Sequence, residues 1–167
     1  PDRVRNDIQI FTHTGKFIKK FGGSGSAPGK FNIPYSIQLD SADNIYVADR
    51  GNNRIQKLTH DGVPMSQITS GGGKTFKAPE DVIFAANGDM FICDTGNERV
   101  VKFDKNHMFL LEWGSKGSGD GLFDHPHSSA MGPDGNVYIN SGNQGYIQVF
   151  NTSGKFLRKF GTPGKGE

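Results

Sequence analysis

The 167-residue sequence predicts an all-β protein in which one unit of four antiparallel strands recurs along the chain. Three observations support this prediction. Three long stretches match one another, their blade prolines stand 45 and then 47 residues apart, and no segment has the apolar stripe of an amphipathic helix. Short strands repeating at such an interval are typical of β-propeller blades, whereas a sandwich lacks this long-range self-similarity.

The matching stretches begin at Phe31, Phe76 and Phe123. SIQL and DVIF open a unit, and NIYVA, DMFIC and NVYIN alternate apolar residues as half-buried strands do. RIQKL, RVVKF and YIQVF follow a polar corner, and a strand such as KFLRKFG completes the unit. The predicted organisation is the outer half of a blade at 1–22 and blades at 31–70, 76–114 and 123–161, together one partial propeller domain, 1–167.

Three motifs recur in these units: a Phe-x-x-Pro start, a corner seen as DRGNNR (49–54) and DTGNER (94–99), and a Phe-Gly end. In these motifs nearly the whole chain resembles NHL repeats. The resemblance implies a propeller, a fold that this family usually closes with six blades. Because the sequence opens in mid-repeat and ends in the linker GTPGKGE, we expect an incomplete arc that further blades or a second copy in a homodimer would complete.

The corner motif pairs Asp49 with Arg54 and Asp94 with Arg99. An Asp-Arg pair repeated at fixed spacing holds a loop by charge-assisted hydrogen bonds more simply than it forms a unique active site. We therefore predict a structural role for these four residues. The third unit has Ser141 and Tyr146 at the matching places, so we expect its corner to be held less firmly.

The positions after the blade proline differ among the units and are polar. They hold Tyr35, Glu80 with Asp81, and His127. The start of an innermost strand and the end of its hairpin partner lie at one edge of a sheet, so these residues should gather with Arg50 at one mouth of the central channel. Propellers usually hold ligands there. The sequence thus predicts ligand-binding residues Tyr35, Arg50, Glu80, Asp81 and His127.

Two further residues have a predicted place near this mouth. Thr95 follows a corner aspartate and is expected to face the mouth with Arg50. His125 stands where the other units have Ile33 and Ala78, so we expect its side chain to pack in the interior.

A weaker resemblance links the chain to peptidyl-α-hydroxyglycine α-amidating lyases. PHS at 126–128 and ADR at 48–50 match places where those propellers hold zinc-binding histidines and an active-site arginine. This resemblance implies His127 as a zinc ligand and Arg50 as the catalytic group that steadies negative charge in the transition state. The sequence departs from the pattern at Tyr35 and Ser128, and a catalytic zinc site needs about three protein ligands.

The overall composition bears on partners. The 19 basic and 17 acidic residues give a net charge of +2, which by itself indicates no polyanion, and no apolar run is long enough to span a membrane. The leading hypothesis is a non-catalytic NHL propeller that binds a protein, peptide or small ligand at its channel mouth without a cofactor. The alternatives are part of a zinc-dependent amidating lyase and single-stranded RNA binding. Nothing in the sequence fixes a compartment.

Overall fold

The computed structural model describes residues 1–162, which form sixteen strands and two short 3₁₀ turns. The strands are β1 (Asp7–Phe11), β2 (Phe17–Gly22), β3 (Pro34–Leu39), β4 (Ile45–Asp49), β5 (Arg54–Leu58), β6 (Pro64–Ile68), β7 (Ser70–Gly71), β8 (Lys74–Thr75), β9 (Asp81–Phe84), β10 (Met90–Asp94), β11 (Arg99–Phe103), β12 (Phe109–Trp113), β13 (Pro126–Met131), β14 (Val137–Ser141), β15 (Tyr146–Phe150) and β16 (Phe156–Phe160). The 3₁₀ turns, Arg50–Asn52 and Thr95–Asn97, follow β4 and β10. Residues 163–167 of the predicted domain and linker lie outside the described residues.

Strand order follows chain order in each large sheet, and all pairings are antiparallel. Blade 1 consists of β3–β6, blade 2 of β9–β12 and blade 3 of β13–β16, while β1 and β2 form a two-stranded half-blade. Strand β9 contacts both β3 and β13, so the innermost strands stand side by side. The predicted fold, an arc of four-stranded antiparallel blades, is confirmed, and residues 1–162 form no closed ring.

The link from blade 1 to blade 2 contains a small hairpin, β7–β8, that the sequence analysis did not predict. Its two turn residues, Gly72 and Gly73, have φ values of +63° and +75°. Such a two-residue turn requires positive φ at both positions, which glycine adopts without strain. The links before blades 1 and 3 instead make single bridges, Ser24 to Phe31 and Lys116 to Phe123.

The hydrophobic core lies in the seams, meaning the interfaces between neighbouring blades. Strand β10 shows the cause, because successive side chains of a strand point to opposite faces. Met90 and Ile92 face blade 1, whereas Phe91 and Cys93 face blade 3. The seam between blades 1 and 2 buries Tyr46, Ala48, Ile55, Phe76, Val82, Met90, Ile92, Val101 and Phe103. A blade is therefore buried only by its neighbours on both sides.

The corner of blade 1 is built around Asp49, whose side chain is fully buried. Its Oδ1 accepts the backbone N–H of Asn32 at 2.7 Å. Its Oδ2 accepts from Arg54 Nε at 2.8 Å and from the side-chain amides of Asn52 and Gln56. One carboxylate thus joins the segment that leads into the blade to the corner and to strand β5.

Blade 2 repeats this arrangement around Asp94. Lys77 donates its backbone N–H to Oδ1 at 2.7 Å, and Arg99 Nε donates to Oδ2 at 2.7 Å. Arg99 also bonds Glu112 and the carbonyl oxygen of Gly71. Both arginines are nearly fully buried, at 5% exposure for Arg54 and 1% for Arg99.

The corner of blade 3 has neutral hydrogen bonds instead of an ion pair. Ser141 Oγ accepts from Asp124 N at 2.9 Å and lies 3.0 Å from the Asp124 carbonyl oxygen, to which it donates. Tyr146 donates its hydroxyl to the carbonyl oxygen of Ser118. The hydroxyl of Ser141 therefore takes over the backbone contact that the aspartates make in blades 1 and 2.

We expect Asp49→Ala to lower the free energy of unfolding by about 3 kcal/mol, because it leaves the buried Arg54 guanidinium without its counter-charge. Chemical denaturation followed by fluorescence measures the change. Asp61→Ala is the matched control, since Asp61 is 79% exposed and pairs only with Lys19, and it should change stability little. Equal effects of the two substitutions would contradict the corner role.

Candidate functional site

The candidate site is the channel mouth, where the innermost strands β3, β9 and β13 begin. Tyr35 and His127 are the second residues of β3 and β13, and Glu80 directly precedes β9. Blade prolines 34 and 126 pair with Asp49 and Ser141, so each strand begins beside its own corner. The structure therefore brings the residues after the blade prolines to one end of the sheets.

Hydrogen bonds between neighbouring blades hold the rim of this mouth. The residue before each blade proline donates its backbone N–H to the corner side chain of the preceding unit. These inter-blade bonds are Ile33 N to Asn6 Oδ1 at 2.6 Å, Ala78 N to Asn53 Oδ1 at 2.7 Å and His125 N to Glu98 Oε2 at 2.7 Å. All six residues have positive φ, between 47° and 67°, a conformation that is uncommon outside glycine.

The exposure of this position overturns the expected packing of His125. Ile33, Ala78 and His125 share a positive φ, so the units match here, but apolar residues at the first two places did not mean burial. Ile33 itself is 37% exposed. The His125 side chain is 39% exposed, and its ring centroid lies 5.8 Å from that of His127.

Glu80 is the point where three blades meet. Its carboxylate is only 1% exposed although it lies beside the mouth. Oε1 accepts from Nε of Arg50, in blade 1, at 2.7 Å. Oε2 makes no hydrogen bond in the described structure and lies 3.4 Å from Nε2 of His125, which leads into blade 3. Groups from the blades on either side thus lie against this buried carboxylate.

Two other predicted site residues, Tyr35 and Asp81, make different contacts. Tyr35 is half-buried, and the Arg3 guanidinium carbon lies 4.7 Å from its ring centroid. Asp81 is half-buried and accepts from both N and Oγ of Ser129, each at 2.7 Å. Burial raises the pKa of Asp81, although the hydrogen bonds from Ser129 lower it. Asp81 therefore braces blade 2 against blade 3.

Thr95 does not face the mouth as expected. It is 2% exposed, and its hydroxyl donates to the Pro126 carbonyl oxygen at 2.7 Å. This bond crosses the seam between blades 2 and 3. This bond could not be predicted from the sequence, because a buried threonine and an exposed one look alike in a corner loop.

The donor set at the mouth does not fit a catalytic zinc ion. His125 and His127 are neighbours, but residues 1–162 contain no group of three or more His, Cys, Asp or Glu side chains arranged to hold a metal. A catalytic zinc site takes about three protein ligands. Side chains of this stretch alone therefore do not complete the site that the lyase resemblance implied for His127.

A separate cavity of about 130 Å³ lies at the opposite end of the strands. Asp40, Phe84, Lys105 and His107 are among its lining residues, all from blades 1 and 2. His107 Nε2 lies 2.8 Å from the Tyr46 hydroxyl, and burial, aided by a nearby lysine, lowers the pKa of His107. The Tyr46 hydroxyl and the His107 ring share a hydrogen bond between blades 1 and 2, which explains this contact as part of the seam.

The repeat units of this chain match those of known β-propeller proteins. A family model described as a 6-bladed beta-propeller matches residues 1–68. Human NHL repeat-containing protein 3 is 58% identical over 40 residues, which are 24% of this chain and 12% of that protein. The chain carries NHL repeats.

Two other proteins are similar to this NHL propeller over most of its length. Rat peptidylglycine alpha-amidating monooxygenase is 30% identical over 164 residues, covering 89% of this chain and 16% of that protein. The crystal structure of virginiamycin B lyase from Staphylococcus aureus superposes with a TM-score of 0.74 at 17% identity, covering 98% of this chain and 51% of that one. The chain thus spans a small part of these curated relatives and about half of the solved lyase.

Within residues 1–162 no helix has the length and apolar character needed to cross a bilayer.

We expect Asp81→Asn to gain stability relative to the native chain as the pH rises. Because the folded pKa of Asp81 lies above its usual 3.8, the folded chain binds more protons than the unfolded chain just above that pH. Native stability therefore falls as the pH rises through this window. Asparagine does not ionise, and its Oδ1 still accepts from Ser129.

Urea unfolding at about pH 3.5, 5 and 7 measures this difference. Asp134→Asn is the control with the opposite sign, since a hydrogen bond from the Asn136 side chain lowers the pKa of Asp134. A constant stability difference between Asp81→Asn and the native chain would contradict the burial of the charged carboxylate.

Proposed function

We propose that this NHL propeller acts as a binding module that takes a peptide, a segment of another protein or a small ligand at its channel mouth. The observation that carries the proposal is the convergence of polar side chains from three blades, with Arg50, Glu80 and His125 in contact and His127 beside them. Each comes from a different repeat unit or link, so no single blade requires this combination for its own folding.

The chemistry of the mouth supports binding more than turnover. Its one fully buried carboxylate, Glu80, already faces Arg50, and Asp81 already accepts from Ser129. Carboxylates that already accept hydrogen bonds hold their neighbours in place, so that the mouth presents a rigid binding surface. Mouths of closed or partly closed β architectures are common ligand sites, and a few convergent polar groups fix ligand orientation there.

Selection of peptides from a random display library on the immobilised chain tests this proposal. Selected peptides should lose binding to a double variant of the mouth, Arg50→Gln with His127→Gln. They should keep binding to Lys105→Gln, which removes a positive charge at the opposite end of the strands. Peptides that depend on Lys105 and ignore the mouth variant would refute the proposed location.

The second candidate is lyase activity, and the match over 89% of the chain to an amidating monooxygenase favours it. The sequence matches ADR and PHS support this candidate, since the resemblance assigns Arg50 to a catalytic arginine and His127 to a zinc ligand. Zinc, when bound by a propeller of that type, acts as a Lewis acid. In this stretch Arg50 is held by Glu80, and the ring centroid of His125 lies 5.8 Å from that of His127.

We expect the purified chain to carry far less than one equivalent of zinc, because two neighbouring histidines do not complete a tetrahedral site. Elemental analysis after dialysis against zinc measures the content. His127→Ala should leave both the content and the melting temperature nearly unchanged. Stoichiometric zinc that disappears in His127→Ala and persists in His13→Ala, at an exposed hairpin, would favour the lyase instead.

A further inference from the structure

Charged side chains at the channel mouth differ in the partners that they already have. The carboxylates accept hydrogen bonds within the chain: Glu80 from Arg50, Asp81 from Ser129 and Glu98 from the backbone N–H of His125. The basic groups keep an outward face, with 34% of the Arg50 side chain and 39% of the His125 side chain exposed. A ligand at the mouth can therefore reach basic groups that are partly exposed.

Arg50 is oriented for a particular kind of contact. Its Nε donates to Glu80, while its two terminal nitrogens make no hydrogen bond within residues 1–162. Terminal N–H groups of a guanidinium form a planar fork that matches a carboxylate with two parallel bonds. Because Glu80 is buried at 1% exposure, it holds this fork in place without competing for the ligand.

His125 extends the donor surface on the other side of Glu80. Its Nε2 faces Glu80 Oε2 at 3.4 Å, so the opposite side of the ring carries Nδ1 away from the carboxylate. A ring nitrogen that carries a hydrogen donates a hydrogen bond. A ligand carboxylate at Nδ1 would place the ring between two carboxylates, one buried and one from the ligand.

We infer that the mouth binds an acidic peptide segment, with a glutamate or aspartate carboxylate on the Arg50 fork beside His125. This inference rests on the proposed function and narrows its ligand. The site offers poor support for RNA, because single-stranded RNA binds by stacking its bases on free aromatic faces. One face of the Tyr35 ring is already covered by Arg3, and the net charge of +2 supplies no extended phosphate-binding field.

Fluorescence anisotropy with three labelled probes tests the inference: a peptide of alternating glutamate and glycine, its lysine counterpart, and an oligouridylate of similar length. The glutamate peptide should bind the native chain most tightly. Arg50→Gln should weaken this binding about tenfold or more, the loss expected for a charge-assisted bidentate contact. Lys16→Gln, a matched charge loss on an exposed hairpin, should change it less than about twofold.

Glu80→Gln separates this inference from a site for cationic ligands. Glutamine still accepts from Arg50 Nε, and the loss of the buried negative charge makes the mouth more positive, so binding of the glutamate peptide should tighten. The double variant Arg50→Gln with Glu80→Gln avoids an uncompensated buried charge and should bind the glutamate peptide more weakly than Glu80→Gln alone. Circular dichroism melting of each variant verifies that it is folded.

Three outcomes would overturn the inference. In the first, the lysine peptide binds as tightly as the glutamate peptide or more tightly. In the second, the folded double variant binds the glutamate peptide as tightly as Glu80→Gln does. In the third, the native chain prefers the oligouridylate and this preference depends on Arg50. If library selection still yields mouth-dependent peptides that are not acidic, the binding module stands and only the acidic ligand is rejected. If no selected peptide depends on the mouth, the proposed function itself fails.

Discussion

The buried corner carboxylate is the interaction on which the geometry of the mouth depends. Asp49 collects the backbone N–H of Asn32 on one oxygen and the Arg54 guanidinium on the other. The segment that leads into the blade is thereby fixed to the corner that closes it. Arg50 directly follows Asp49, so the reach of its side chain to the next blade is set by the same carboxylate.

Packing in the seams fixes the positions of the blades relative to one another, so that their corners form one surface. A propeller blade is a thin sheet with two apolar faces, and neighbours must cover both of them. In this chain the covering side chains alternate along single strands, as Met90 and Phe91 do on opposite faces of β10. Hydrogen bonds such as Ala78 N to Asn53 Oδ1 then set the angle at which each blade meets the next.

Much of this arrangement was predictable because repetition supplies an internal alignment. Strand positions, the antiparallel blades and the gathering of Arg50 and Glu80 at one mouth follow from matching units. The inference drawn from the alignment failed at His125: it matches Ile33 and Ala78, but apolar residues at this place did not mean burial, since Ile33 is itself 37% exposed. The role of Glu80 as a junction was also inaccessible, since its partners Arg50 and His125 lie 30 and 45 residues away in the chain. Contact with a ligand at Tyr35, Asp81 or His127 stays a prediction.

The distribution of the Glu80 junction over three blades has an evolutionary consequence. Duplication of one repeat unit copies a corner and half of each adjoining seam, so a new blade inherits most of what it needs to fold. It does not copy the Glu80 junction, because Arg50, Glu80 and His125 stand in different units. Repetition therefore reproduces the fold of this chain, whereas the junction requires the units to differ from one another.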